Sequence, residues 1–323
     1  MNKQNPVMIY FISQLPKRAL LIDINISRNV KTFNKVPGNI ESLISDWKNS
    51  AGTEIASSDN IDRLPEYALQ VARILAYPDL DIPGILAKID SMGQQVSSLI
   101  KSSNTPSRPT TIIEKINEFI FSVEKFKANT DDYYNPLNSY LNVVIDRKTG
   151  IPITLCILYG AVAGAVGFKM HPVSFPAHFL VKHVLEDGSG EIIVDPFNGG
   201  RIMDDYSLKA LLDQAFQRQN IPLTHALVEK ATPSQVVIRM LNNLKGSYYE
   251  SQDMEKYLVA NEMVLAIDQY NPEATRDKGV LLLKEGHSEE ALRILNMYLE
   301  INPEAEDADE ILGIIRQIRS GPK

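Results

Sequence analysis

One stretch of this chain, Ile151 to Phe168, is apolar on every side, broken by Thr154, Gly160 and Gly164. It lies mid-chain between charged segments and reads as a buried helix rather than a membrane span. Pro152 sits in its first turn and Gly167 ends it. The chain can enclose such a helix: 323 residues, 44% hydrophobic and 23% charged, are the values of one large globular domain or two ordinary ones. Its single cysteine, Cys156, excludes an internal disulfide and any multi-cysteine zinc site, and fits a reducing, cytoplasmic setting. A formal net charge of −7 without a basic cluster excludes nucleic-acid binding, which needs several cations on one face.

The first 35 residues are basic, with Lys3, Lys17, Arg18, Arg28, Lys31 and Lys35 against Asp23. They read as an extension or an upstream start, with an organellar transit peptide as the alternative. Residues 1–60 are therefore assigned no fold. From Leu64 onward, Leu64, Ala68, Val71 and Leu75, then Ile82, Ile85, Leu86 and Ile89, recur at helical steps. Residues 102–110 form a polar linker, and a helix is predicted from about Thr111 to Phe126. Asn138 is placed to cap the next helix, which ends near Thr149–Gly150.

After Gly167 the period changes. Pro172–Leu185 and Glu191–Val194 read as strands joined by Glu186–Asp187–Gly188–Ser189–Gly190, a hairpin turn. Asp195–Gly200 reads as a loop and Asp205–Gln217 as a helix. The helical part (61–167) and the strands and loop (171–200) make one α+β domain over 61–231. Residues 232–323 read as an all-helical tail. There Asn271–Pro272–Glu273–Ala274 returns as Asn302–Pro303–Glu304–Ala305, close to the tetratricopeptide period of about 34 residues. One or two repeats cannot bury a core alone, so they must pack on the middle domain, a partner or a second copy.

Three groups follow in order on helix, strand and strand: Cys156, His178 and Asp195. That order suits thiol acyl transfer, in which a histidine takes the thiol proton and a carboxylate fixes the imidazole tautomer. Each also has a plainer reading. Cys156 lies among Ile153, Leu155, Ile157 and Leu158, where a free cysteine is a small buried hydrophobe. His178 is equally a structural histidine bonded to Asp195, and Asp195 before Pro196 a turn residue accepting backbone N–H groups. Asn198–Gly199–Gly200 reads as tight-turn geometry. No metal or cofactor is expected: His178 and His183, five apart on one strand, face opposite sides, and His171, His225 and His287 lie elsewhere.

Four segments in order carry a likeness: Tyr134, Pro136 and Asn138–Ser139–Tyr140–Leu141–Asn142; Gly150–Ile151–Pro152–Ile153–Thr154–Leu155; Phe175–Pro176–Ala177–His178–Phe179–Leu180–Val181; and Val194–Asp195–Pro196–Phe197–Asn198–Gly199–Gly200. From about Leu64 to Leu227 the chain resembles the bacterial SirB-type branch of the transglutaminase-like superfamily, which often carries tetratricopeptide-like repeats at its C-terminus. The resemblance implies a papain-like core, a helix packed on an antiparallel sheet. In the catalytic members the nucleophile opens that helix in a Gly-x-Cys pattern. Measured back from Gly167, that place is Pro152 here, while His178 and Asp195 fall where the family's histidine and aspartate sit. Cys156 lies about 6 Å further along the helix axis, at a position the family often fills with serine.

The expectation is therefore a non-catalytic transglutaminase-like scaffold, with a His178–Asp195 pocket for a peptide or acyl-like group and a helical-repeat tail for a protein partner. The resemblance adds an indirect regulatory role. The alternative is a cysteine hydrolase, protease or transamidase using Cys156, His178 and Asp195. No membrane is expected as a partner, and the sequence leaves the oligomeric state open.

Overall fold

The computed structural model describes residues 38–103, 108–216 and 220–320. The basic start and its possible transit peptide lie outside them. Within the described residues the chain forms two compact units, one of Ser57–Asn243 and one of residues 38–56 joined by residues 244–320. The division falls inside a helix, Pro233–Glu250, whose start is where the sequence placed the beginning of the tail.

The described residues open on α1 (Gly38–Trp47), a π-helical turn (Lys48–Gly52) and α2 (Thr53–Ser57). This corrects the expectation of no assignable fold before residue 60. Trp47, Ala51 and Ile55, four residues apart, are buried together on one side of this segment.

The first unit then builds a shell around the apolar helix. It runs through α3 (Leu64–Leu75), α4 (Ile82–Ser102), α5 (Pro109–Asn117) with a π-helical turn to Val123, and β1 (Lys127–Ala128). Next come α6 (Leu141–Arg147), β2 (Thr149–Gly150) and α7 (Pro152–Gly164). Helix α7 is the predicted apolar helix, and α3, α4, α5 and α6 all pack on it. Its approach to α4 is close enough that a Cβ on Gly93 would sit 2.3 Å from the Ala165 Cβ.

Asn138 does not cap α6. Its side chain is buried, accepting from Asn129 (2.8 Å) and donating to the Asp132 carbonyl (2.6 Å) and the Tyr133 carbonyl (3.1 Å), so it ties a loop instead. Helix α6 ends earlier than predicted, because Lys148 turns left-handed at φ 55°.

The predicted strand Pro172–Leu185 is split. Strand β3 (His171–Val173) stops, a turn follows, and β4 (Leu180–Val184) begins after His178. Thus His178 and His183 do not share a strand. Strands β5 (Glu191–Asp195) and β6 (Arg201–Met203) complete an antiparallel sheet of order β3-β4-β5-β6. The register pairs Val173 with Leu180 and Ile193 with Met203. These four residues cover one face together with Leu208 and Leu212 of α8 (Asp205–Ala215). Strands β3 and β4 also contact α7.

The second unit takes α1 and α2 with the end of α9 (Pro233–Glu250), α10 (Met254–Ile267), α11 (Pro272–Lys284), α12 (Ser288–Ile301) and α13 (Ala308–Ser320). Asn271 caps α11 by accepting from the Ala274 N–H (3.1 Å). The second Asn–Pro–Glu–Ala copy opens no helix at once. Asp307 comes first, its carboxylate drawn inward by Arg276 (3.1 Å) and the Tyr298 hydroxyl (2.5 Å). Arg276 and Lys245 meet on Asp277, each at 2.7 Å, all three nearly free of solvent. The repeats also gain a cover the sequence did not offer: Trp47 of α1 is fully buried and donates from Nε1 to the Met263 carbonyl (3.1 Å) on α10.

No described helix is long and apolar enough to cross a membrane.

Candidate functional site

Helix α7 starts at Pro152, whose missing N–H costs nothing in a first turn. Thr154 locks that start: its hydroxyl accepts from the Ile151 N–H (3.2 Å) and donates to the Asn138 carbonyl (2.9 Å). The residue at the helix tip, where a thiolate would gain from the N-terminal dipole, is a proline. Cys156 lies one turn further in.

The Cys156 thiol donates to the Phe179 carbonyl (3.3 Å) and is 2% exposed. It makes no hydrogen bond to the His178 ring. Burial, and then the Asp195 charge, push its pKa well above the ordinary thiol value, against a smaller opposing effect of Arg239. A thiolate is the attacking form, and this environment opposes it. Cys156 also lines a cavity of about 480 Å³ with Leu86, Ile157, Met170 and Val181. Neither His178 nor Asp195 lines that cavity, so the expected pocket around the pair is not this one.

His178 and Asp195 are brought together. The ring Nε2 lies 2.9 Å from Asp195 Oδ2, and both side chains are buried. Asp195 also does what the turn reading expected: Oδ1 accepts from the Phe197 N–H (3.1 Å) and the Asn198 N–H (3.3 Å). The Asn198 amide donates to Oδ2 at 2.6 Å. Burial pushes the Asp195 pKa up, but the His178 hydrogen bond and charge, with the Asn198 bonds, outweigh it and hold the carboxyl below its ordinary 3.8. An ionised Asp195 can only accept, so Nε2 carries the proton and Nδ1 is the lone-pair nitrogen in the neutral ring. Among the described residues Nδ1 has no hydrogen-bond partner. The Phe197 ring meets the imidazole edge-on at 5.8 Å.

Gly199 and Gly200 turn with φ of 71° and 76°, and the Gly200 N–H closes on the Asp195 carbonyl (2.9 Å). This is the tight turn that the sequence suggested.

The residue that sequence reasoning missed is Arg239, on α9. Its Nη1 donates to Ser174 Oγ (2.7 Å) and the Phe175 carbonyl (2.9 Å), and its Nη2 to the His178 carbonyl (2.6 Å). The guanidinium also lies 5.4 Å from the Phe179 ring centre. It clamps the turn that carries His178, in which Ala177 holds a positive φ of 55°. No local pattern betrays this role, because 61 residues separate Arg239 from His178.

The remaining histidines stay apart from the pair. The His183 ring stacks on Phe168 at 4.0 Å and contacts the Lys169 carbonyl, and His171 lies opposite Lys182 across the sheet.

Comparison with known proteins agrees with this architecture. Residues 84–242 match the Transglutaminase-like superfamily, and residues 244–316 match a tetratricopeptide repeat. A UPF0162 protein of Xylella fastidiosa (strain Temecula1) is 31% identical, covering 83% of this chain and 92% of the relative. The UPF0162 protein YchA of Escherichia coli (strain K12) is 24% identical, covering 75% of this chain and 87% of the relative. Human F-box only protein 21 is 29% identical, covering 59% of this chain but 33% of its own length. No solved structure matches. The α+β reading and the SirB-type resemblance are borne out: the chain belongs to the UPF0162 family, a transglutaminase-like domain followed by tetratricopeptide repeats.

Proposed function

We propose that this protein is a non-catalytic transglutaminase-like binding protein, in which the His178–Asp195 pair receives a peptide or acyl-like group and the repeat unit engages a protein partner. One observation carries the reading: the single thiol lies one turn inside α7, is 2% exposed and donates its proton to the Phe179 carbonyl, while the helix tip is Pro152. Without an attacking group, the His178–Asp195 couple has a ring nitrogen to offer a ligand and no bond to break. The tetratricopeptide match supports the partner half of the reading. A free thiol in a chain with no second cysteine supports a cytoplasmic setting.

The intact 2.9 Å His178–Asp195 contact favours a second reading, a cysteine hydrolase, protease or transamidase that uses Cys156 after the start of α7 rearranges. Alkylation separates the two. Iodoacetamide at neutral pH should modify Cys156 in the folded protein far more slowly than in the urea-unfolded chain, and Cys156→Ser should keep every binding property of the wild type. An acyl adduct on Cys156, or rapid modification of the native protein, would overturn the non-catalytic reading.

A further inference from the structure

Helices α4 and α7 touch where Gly93 meets Ala165, with no room for a Cβ on the glycine. Beside that contact they frame the cavity of about 480 Å³, with the start of α3 and strand β4 as further walls. That volume is in the range of small-molecule sites. The lining changes character with depth. Leu64, Ile89, Cys156, Ile157, Met170 and Val181 are apolar and buried, whereas the charged lining residues, Asp62, Asp90 and Lys169, are exposed. The cavity has an apolar interior and a charged mouth.

Two glycines of α7 keep that interior open. A Cβ on Gly160 would meet only the Met170 carbonyl oxygen, at 3.7 Å, and one on Gly164 would meet nothing within 4 Å. Neither has a positive φ, so the backbone does not require glycine at either place. Glycine weakens a helix, and what these two contribute in return is space.

The carboxylates of Asp62 and Asp90 and the ammonium of Lys169 have no partner among the described residues. The cations next in sequence are engaged elsewhere, Arg63 with Glu66 (2.9 Å) and Lys88 with Asp146 (3.7 Å). Two carboxylates and one ammonium around an apolar interior complement a ligand with an apolar body and a head of both signs.

We propose that this cavity binds a free apolar amino acid, with its side chain inside, its ammonium facing Asp62 and Asp90, and its carboxylate facing Lys169. The site is separate from the His178–Asp195 pair, neither of which lines it, and does not depend on what that pair receives.

The test uses the full chain with methyl-¹³C methionine, following the Met170 signal, which is identified by its loss in Met170→Leu. Three probes share one apolar body. L-Phenylalanine carries both charges, L-phenylalaninamide the ammonium alone, as at a peptide N-terminus, and 3-phenylpropanoate the carboxylate alone. Phenylalanine should give a saturable shift and bind tightest of the three. Its affinity should fall about threefold in Lys169→Gln and about fivefold in Asp62→Asn combined with Asp90→Asn, the scale of exposed ion pairs. Lys169→Gln should not weaken phenylalaninamide. Gly160→Leu favours the helix and fills the interior, so it should abolish the shift.

The charge variants change exposed positions and decide the matter if Gly160→Leu fails to fold. No saturable Met170 shift with phenylalanine, equal or tighter binding of the amide or the acid, or unchanged affinity in either charge variant would overturn the site. Undiminished binding to a folded Gly160→Leu would overturn it as well. Rapid alkylation of Cys156 would overturn the non-catalytic reading without touching the phenylalanine result.

Discussion

Ala177 holds a φ of 55°, a left-handed conformation that costs an alanine about 1 kcal/mol. The turn keeps that conformation because the Arg239 bonds hold its carbonyls and the His178–Asp195 bond holds its side chain. Asp195 is the keystone, since its two oxygens serve the imidazole, two backbone N–H groups and the Asn198 amide at once. Asp195→Ala leaves those donors without an acceptor in a buried place and should cost about 3 kcal/mol in urea unfolding. The pH dependence has a fixed sign. Because the folded pKa is depressed, the stability from Asp195 is complete above its ordinary 3.8 and disappears as the pH falls from there through the folded value. Asp195→Ala should therefore flatten the acid limb of the wild-type stability curve, and a variant with an unchanged limb would assign acid unfolding to other carboxylates.

Between β5 and β6 the chain reverses in a turn that only glycine can complete. Gly200 has φ 76°, and a Cβ there would lie 1.9 Å from the Asn117 side chain. That amide donates to the Gly200 carbonyl (2.8 Å) and accepts from the Tyr159 hydroxyl (2.9 Å), joining the turn to α5 and α7. Gly200→Ala combines backbone strain with a clash and should cost about 2–3 kcal/mol, read as a lowered urea midpoint. The glycine pair was legible as a turn, and so were α7, the β4–β5 hairpin and the meeting of His178 with Asp195, because each rests on a local pattern or a motif. The elements that were not legible depend on distant chain. Strand β6 has three residues and forms only because β5 offers it an edge. At the split between β3 and β4, Pro176 inside the predicted strand was a local signal, but the Arg239 bonds that hold the turn come from distant chain. Asn138 reads as a cap until its loop partners, Asn129 and Asp132, are in place.

At the scale of the molecule, one unit is continuous among the described residues and the other is made from both sides of it. Trp47 is one bond between its two pieces, wholly buried and donating to Met263, and Lys48 adds an ion pair to Glu262 (3.5 Å). Trp47→Ala should remove about 3–5 kcal/mol from the repeat unit. Hydrogen exchange would show the loss as weakened protection of α10 and α11 with the sheet of the first unit unchanged; equal weakening of both units would mean that they unfold together. The split has a consequence for synthesis. When residues 38–56 leave the ribosome, the helices that will cover their tryptophan are still untranslated. Nearly the whole intervening unit must emerge first, at about 5–20 residues per second. For roughly ten seconds or more the Trp47 side chain waits on the nascent chain without the helices that will bury it.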